Sequence, residues 1–216
     1  MMIKGIIFDC DGVLLDSEPL FAKATQVMMD AYGLDLDLSG LPDGNGVTVT
    51  HFCRILLEHF PHIGYSLEKL VKDYYYYSDL LLMADDLKPM EGIQDFCREQ
   101  HEKGLQLSVA SSSPTYYVTH KLRLFGIEPY FDRIVSADDI THSKPHPEIY
   151  LKAIEKSGLE KRELIAIEDA PNGIKAAKAA GLYVVGFKGS AITQDTSQAD
   201  EEAFRFKDIQ ILKEGI

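Results

Sequence analysis

Between Pro89 and Phe187 the chain repeats one pattern, in which stretches with apolar residues at helical spacing alternate with short apolar runs. The helical periods cover Gly92–Lys103, Thr115–Phe125, Pro147–Ser157 and Asn172–Ala180; the runs are Leu105–Ala110, Arg133–Ser136, Leu164–Ile167 and Tyr183–Phe187. Strands separated by whole helices lie parallel, and a parallel sheet needs helices on both faces. With Ile6-Ile7-Phe8 as a first strand, the pattern predicts an α/β fold, a Rossmann-like parallel-sheet core.

The segment between that first strand and Pro89 reads differently. Helical periods over Ser17–Gly33, Val49–Phe60 and Ser66–Met83 follow one another, with a loop rich in Asp, Gly and Pro running to Asn45-Gly46. No strand is expected there. Residues 17–87 are therefore predicted to form a small helical cap inserted into a core made of 1–16 and 88–216. Its two ends must return to the C-terminal edge of the sheet, where an insert can serve as a lid. In the tail, Gln194–Glu202 is polar and weakly patterned, and Phe204–Leu212 is expected to supply a last strand and turn.

Composition removes several function classes. The 216 residues carry a formal charge of −12, which argues against a nucleic-acid or anionic-membrane surface. Three scattered cysteines, Cys10, Cys53 and Cys97, without any C-x-x-C suggest neither a disulfide framework nor a thiolate metal site. The apolar stretch before Asp9 is too short for a signal peptide or a membrane span. A cytoplasmic protein, with nothing demanding more than a monomer, is the expectation.

In an open α/β sheet the ligand crevice lies beyond the carboxyl ends of the strands. There the sequence places Asp9 and Asp11 after the first strand, Ser111-Ser112-Ser113 after Val109-Ala110, Ser143-Lys144-Pro145 past Ile134-Val135, and Glu168-Asp169 after Ile165-Ala166-Ile167. Four converging carboxylates repel one another unless a cation sits among them. An all-oxygen set with room for water and phosphate suits Mg²⁺ rather than zinc. A hydroxyl and a lysine beside that ion meet the needs of a phosphoryl group, and one carboxylate is free to attack phosphorus.

Read singly, each stretch has a plainer explanation. Asp and Gly after a strand make an ordinary turn, three serines before Pro114 make a hydroxyl-stabilised turn, and Glu168-Asp169 can cap a helix. Taken together and in this order, Asp9-Cys10-Asp11-Gly12-Val13, Ser111, Ser143-Lys144-Pro145 and Glu168-Asp169 with Gly173 resemble the four motifs of the haloacid dehalogenase superfamily. The helical insert after the first motif is similar to the subfamily that includes β-phosphoglucomutase and many sugar-phosphate phosphatases.

The resemblance implies Asp9 as nucleophile, with its carboxylate and the Asp11 backbone carbonyl on Mg²⁺, and Asp169 and Glu168 completing the protein's share of the metal shell. It implies Asp11 as the acid that protonates the leaving oxygen and then activates water. Ser111 would bind the phosphoryl oxygens and Lys144 would neutralise Asp9. Glu18, Asn45, His51 and Ser112 are the candidates for contact with a small phosphorylated metabolite.

The motifs leave the phosphoryl acceptor open. A phosphosugar mutase of this subfamily carries a histidine after the first motif and an arginine in the first cap loop; here Phe21 and Val49 stand at those positions. Asp16-Ser17-Glu18-Pro19-Leu20 is similar to the phosphatases instead. The expectation is therefore a Mg²⁺-dependent phosphatase for a small sugar or polyol phosphate, with the mutase as alternative. A phosphoacceptor signalling domain shares the acidic pocket, but its acceptor sits on a middle strand of a much shorter chain.

Overall fold

Strand β1 (Gly5–Phe8) is buried along its whole length and carries apolar side chains to both faces, as a central parallel strand must. In the computed structural model, which describes residues 2–36, 47–84, 87–192 and 194–211, it pairs in parallel with β2 (Gln106–Ala110) on one side and β4 (Leu164–Glu168) on the other. The six-stranded sheet runs β3-β2-β1-β4-β5-β6, with β3 at Arg133–Val135, β5 at Tyr183–Phe187 and β6 at Glu201–Ala203. All pairings are parallel. The chain steps outward from β1 in both directions, so the switch point of the topology falls at the carboxyl end of β1.

The two-residue period of the strands divides the core. Ile6, Phe8, Leu107, Val109, Ile165 and Ile167 face one apolar cluster, closed by α4 (Ile93–Glu102) and α5 (Thr115–Leu124) through Phe96, Val118 and Leu122. Ile7, Ala110, Ala166 and Val184 face the other, closed by α6 (Glu148–Ser157) and α7 (Pro171–Ala180) through Ile149, Tyr150 and Ile174. A fully buried Ile, Leu or Phe of this kind contributes about 1.5–3 kcal/mol.

A third cluster, including Met28, Met29, Cys53, Leu56, Leu70 and Tyr74, is built by α1 (Glu18–Ala31), α2 (Val49–His59) and α3 (Leu67–Ala84). Where the chain leaves and rejoins the sheet region, the Met90 amide donates to the Leu14 carbonyl at 2.9 Å and Leu15 bridges Pro89. Tyr75 of α3 packs edge-on against Tyr117 of α5, ring centres 6.1 Å apart. No helix among the described residues is long and apolar enough to cross a membrane.

The tail corrects one expectation. The last strand is Glu201-Glu202-Ala203, which begins within the end of the stretch that reads as polar, whereas Phe206–Asp208 forms a 3-10 turn. An edge strand exposes much of its surface and tolerates charge. Glu202 serves there as a partner of Lys188 at 2.8 Å, and the neighbouring Asp200 accepts from the Val184 amide at 2.8 Å. Phe206 supplies the apolar anchor, stacked on Phe187 at 4.4 Å.

Candidate active site

Asp9 is the first residue beyond β1, and its amide continues the ladder by donating to the Ile167 carbonyl at 2.9 Å. Only 5% of the residue is exposed. Lys144, fully buried, arrives from the loop before α6 and directs its ammonium at three acceptors: Asp9 Oδ1 at 2.7 Å, Glu168 Oε1 at 2.5 Å and the Ala110 carbonyl at 3.3 Å. Three donors meet three acceptors. Tyr150 of α6 donates its hydroxyl to the same Glu168 oxygen at 2.7 Å.

Burial, reinforced by the charge of Glu168, pushes the Asp9 carboxyl well above the ordinary range even though Lys144 pulls it down. Burial also works against the Lys144 ammonium, but the Asp9 and Glu168 carboxylates outweigh it and keep the lysine charged. Asp9, Glu168 and Asp169 each bring a carboxylate oxygen within 4.8 Å of the others, so one ammonium faces three carboxylates. Such a cluster calls for a further cation, and a set of oxygens alone suits a hard divalent ion.

Two glycines leave room for this arrangement. A Cβ on Gly12 would lie 2.0 Å from Asp169 Oδ2, and one on Gly173 would lie 1.9 Å from Glu168 Oε1. Gly12 also has φ +80°, in the left-handed region that costs other residues about 1–2 kcal/mol. Gly12→Ala is expected to displace the Asp169 carboxylate and weaken any divalent-cation binding by the cluster at least about tenfold, as read by calorimetric titration. An unchanged titration would show that Asp169 does not need this space. The N-cap position of α7 is Ala170, which has no side chain to cap with, and Glu168 Oε2 accepts the Ala170 amide at 3.3 Å, so a role at the helix start coexists with a place in the acidic cluster.

Asp11 is fastened by three elements. Ser17, at the position of a helix cap, instead donates to Asp11 Oδ1 at 2.6 Å; Ser113 donates to Oδ2 at 3.0 Å; and Lys121 of α5 reaches Oδ1 at 2.5 Å. Burial alone would raise this carboxyl, but the Lys121 ammonium and the two hydroxyls hold it below the usual carboxylate value. Lys121 is itself fully buried, its ammonium 4.1 Å from the Tyr117 ring centre and 5.0 Å from that of Phe21.

Ser111 is buried behind β2, donating its amide to Val135 and accepting the Ser113 amide on Oγ at 3.1 Å. The hydroxyl turn is real and coexists with a place beside the acidic cluster. Ser112, half-buried, stands between the two. His51 of α2 meets Ser143, the residue before Lys144, with Nδ1 2.7 Å from its hydroxyl. Asn45 lies outside the described residues, as does the side chain of Glu18, the first residue of α1.

Sequence reasoning missed Lys121 and Tyr150. A signal for Lys121 was available, because Tyr117, Val118, Lys121 and Leu122 share the inward face of α5 and a lysine there needs a partner.

Residues 6–187 match the family model described as haloacid dehalogenase-like hydrolase. Hexitol phosphatase B of Escherichia coli strain K12 is 32% identical over 182 residues, covering 83% of this chain and 81% of that protein. A phosphorylated carbohydrates phosphatase of Thermotoga maritima is 31% identical over 186 residues, covering 83% and 82%. Among solved structures, β-phosphoglucomutase from Clostridium difficile shares the fold, with a TM-score of 0.81 at 23% identity over 97% of this chain and 94% of that one.

Proposed function

The chain belongs to the haloacid dehalogenase-like hydrolases, and from that premise we propose that it is a Mg²⁺-dependent phosphoric monoester hydrolase acting on a small sugar or polyol phosphate. The observation that carries the reading is the Asp9 carboxylate at the end of the central strand, touched by Lys144 and crowded by Glu168 and Asp169.

Asp9, Glu168 and Asp169, with the Asp11 backbone carbonyl, would hold Mg²⁺. When bound, the ion supplies positive charge to the phosphoryl oxygens and to the nucleophile. An Asp9 oxygen attacks phosphorus as the bond to the sugar oxygen breaks; Asp11, held as a carboxylate by Lys121 in the substrate-free protein, takes up a proton from solvent when substrate binds and passes it to that leaving oxygen. Asp11 then takes a proton from the water that attacks the aspartyl-phosphate, releasing phosphate and regenerating Asp9. Lys144 neutralises the crowded carboxylates, and Ser111 and Ser112 line the phosphoryl site. Residues 17–87 act as the cap over residues 1–16 and 88–216, with Glu18, Asn45 and His51 as its contributions to substrate recognition. Phe21 packs 6.3 Å from Tyr74 and beside the Lys121 ammonium, an apolar packing role that supports hydrolysis over mutase activity. Cys10, Cys53 and Cys97 are free and buried, which supports a reducing, cytoplasmic setting; the working assembly is a monomer.

The test is phosphate release from a panel of sugar and polyol phosphates with Mg²⁺ and after chelation, following isomerised sugar phosphate in parallel. Mg²⁺-dependent phosphate release is expected, with Asp169→Ala raising the Mg²⁺ needed for half-saturation at least about tenfold. Isomerisation without phosphate release would overturn hydrolysis, and full activity after chelation would overturn the metal.

A further inference from the structure

A cleft of about 390 Å³ separates α2 from the loops that follow β2 and β3. One wall is Thr48, His51 and Arg54; the other includes Pro114, Asp138 and Ser143. The second wall leads to the catalytic residues. Ser143 is the chain neighbour of Lys144, whose ammonium lies 2.7 Å from Asp9, and Pro114 follows Ser113, whose hydroxyl holds Asp11. A phosphomonoester with its phosphoryl group at Asp9 has this cleft beside it to receive its remaining part.

The cleft carries one charge of each sign, and the two are unequally engaged. Arg54 is the one Lys or Arg lining it, and its guanidinium makes no hydrogen bond or ion pair with another described residue. Asp138, the one carboxylate, already accepts the Thr115 amide at the start of α5, at 2.8 Å. His51 lies one helical turn from Arg54 on the same face and uses Nδ1 on Ser143. An exposed guanidinium offers a planar fork that matches a carboxylate or phosphate with two parallel hydrogen bonds. In a chain of net charge −12, such a cation is a local exception that favours an anionic ligand over a neutral one.

Resting on the phosphatase reading, we infer that Arg54 is a specificity residue and that the preferred substrates carry a second anionic group, a carboxylate or another phosphate, at the end remote from the phosphoryl group being transferred. The cleft discriminates by charge at the far end of the molecule.

Two matched pairs test this: 3-phosphoglycerate against glycerol 3-phosphate for a carboxylate, and fructose 1,6-bisphosphate against fructose 6-phosphate for a second phosphate. The wild type should favour the more anionic member of at least one pair by tenfold or more in kcat/KM, and the pair that responds identifies the group. Arg54→Gln should collapse that ratio, Arg54→Lys should restore part of it, and Arg162→Gln, on the surface and paired with Glu160, should leave it alone. Calorimetric binding of the same compounds to Asp9→Asn protein measures the preference without turnover. Turnover with equal rates and binding within both pairs, unchanged in Arg54→Gln, would overturn the subsite and leave the phosphatase. An Arg54-dependent binding preference without turnover of any phosphomonoester by the wild type would retain the subsite and overturn the phosphatase.

Discussion

Asp9→Asn is expected to lose at least about 10⁴-fold in turnover, the order seen when a catalytic nucleophile is removed, while the protein stays folded. Lys144 keeps Glu168 and the Ala110 carbonyl as partners, so the substitution leaves no unpaired ammonium. The carboxylate is a burden to the metal-free fold. Its pKa is pushed from 3.8 up to about 8 by burial and Glu168, so the native state binds a proton that the unfolded chain releases. Native stability of the metal-free wild type should therefore fall as pH rises from about 4 to about 8, and part of that slope should vanish in the variant. Thermal unfolding across this range, with steady-state phosphate release, checks both parts. Wild-type turnover in the variant would remove Asp9 as nucleophile, and an identical pH slope would remove it as the source of the strain.

Lys121→Met is expected to be the most damaging change outside the four motifs. Methionine replaces the stem but leaves the Asp11 carboxylate with only the Ser17 and Ser113 hydroxyls. Breaking a buried pair from one side costs about 3 kcal/mol or more, which in a domain of this size lowers the unfolding temperature by roughly 6–12 °C. If Asp11 exchanges protons with the leaving oxygen and water, its misplacement should lower kcat by about 10²-fold with a smaller effect on KM. A variant with normal kcat and normal unfolding temperature would show that Asp11 is held by its hydroxyl partners alone.

The parallel sheet, the inserted helices and the acidic residues at the strand ends were legible because they are written in local patterns. A short apolar run defines a buried strand from a handful of neighbours, a helical period defines its cover, and the crevice rule then assigns Asp9, Ser111 and Asp169 to one place. β6 was not legible, because Glu201-Glu202-Ala203 earns its position through backbone pairing with β5, and backbone pairing leaves no apolar signature at a sheet edge.

The sequence by itself determined which carboxylates, hydroxyl and lysine could meet in the crevice beyond the strands, since strand ends follow from chain-local periodicity. Only the tertiary structure decided their companions. That Lys121 serves Asp11, that Tyr150 serves Glu168 and that Arg54 and Asp138 line one cleft depend on which helices and loops meet. The reason is physical: a backbone period places a side chain on a face, but the partner of a charge is chosen by burial and distance between elements remote in the chain.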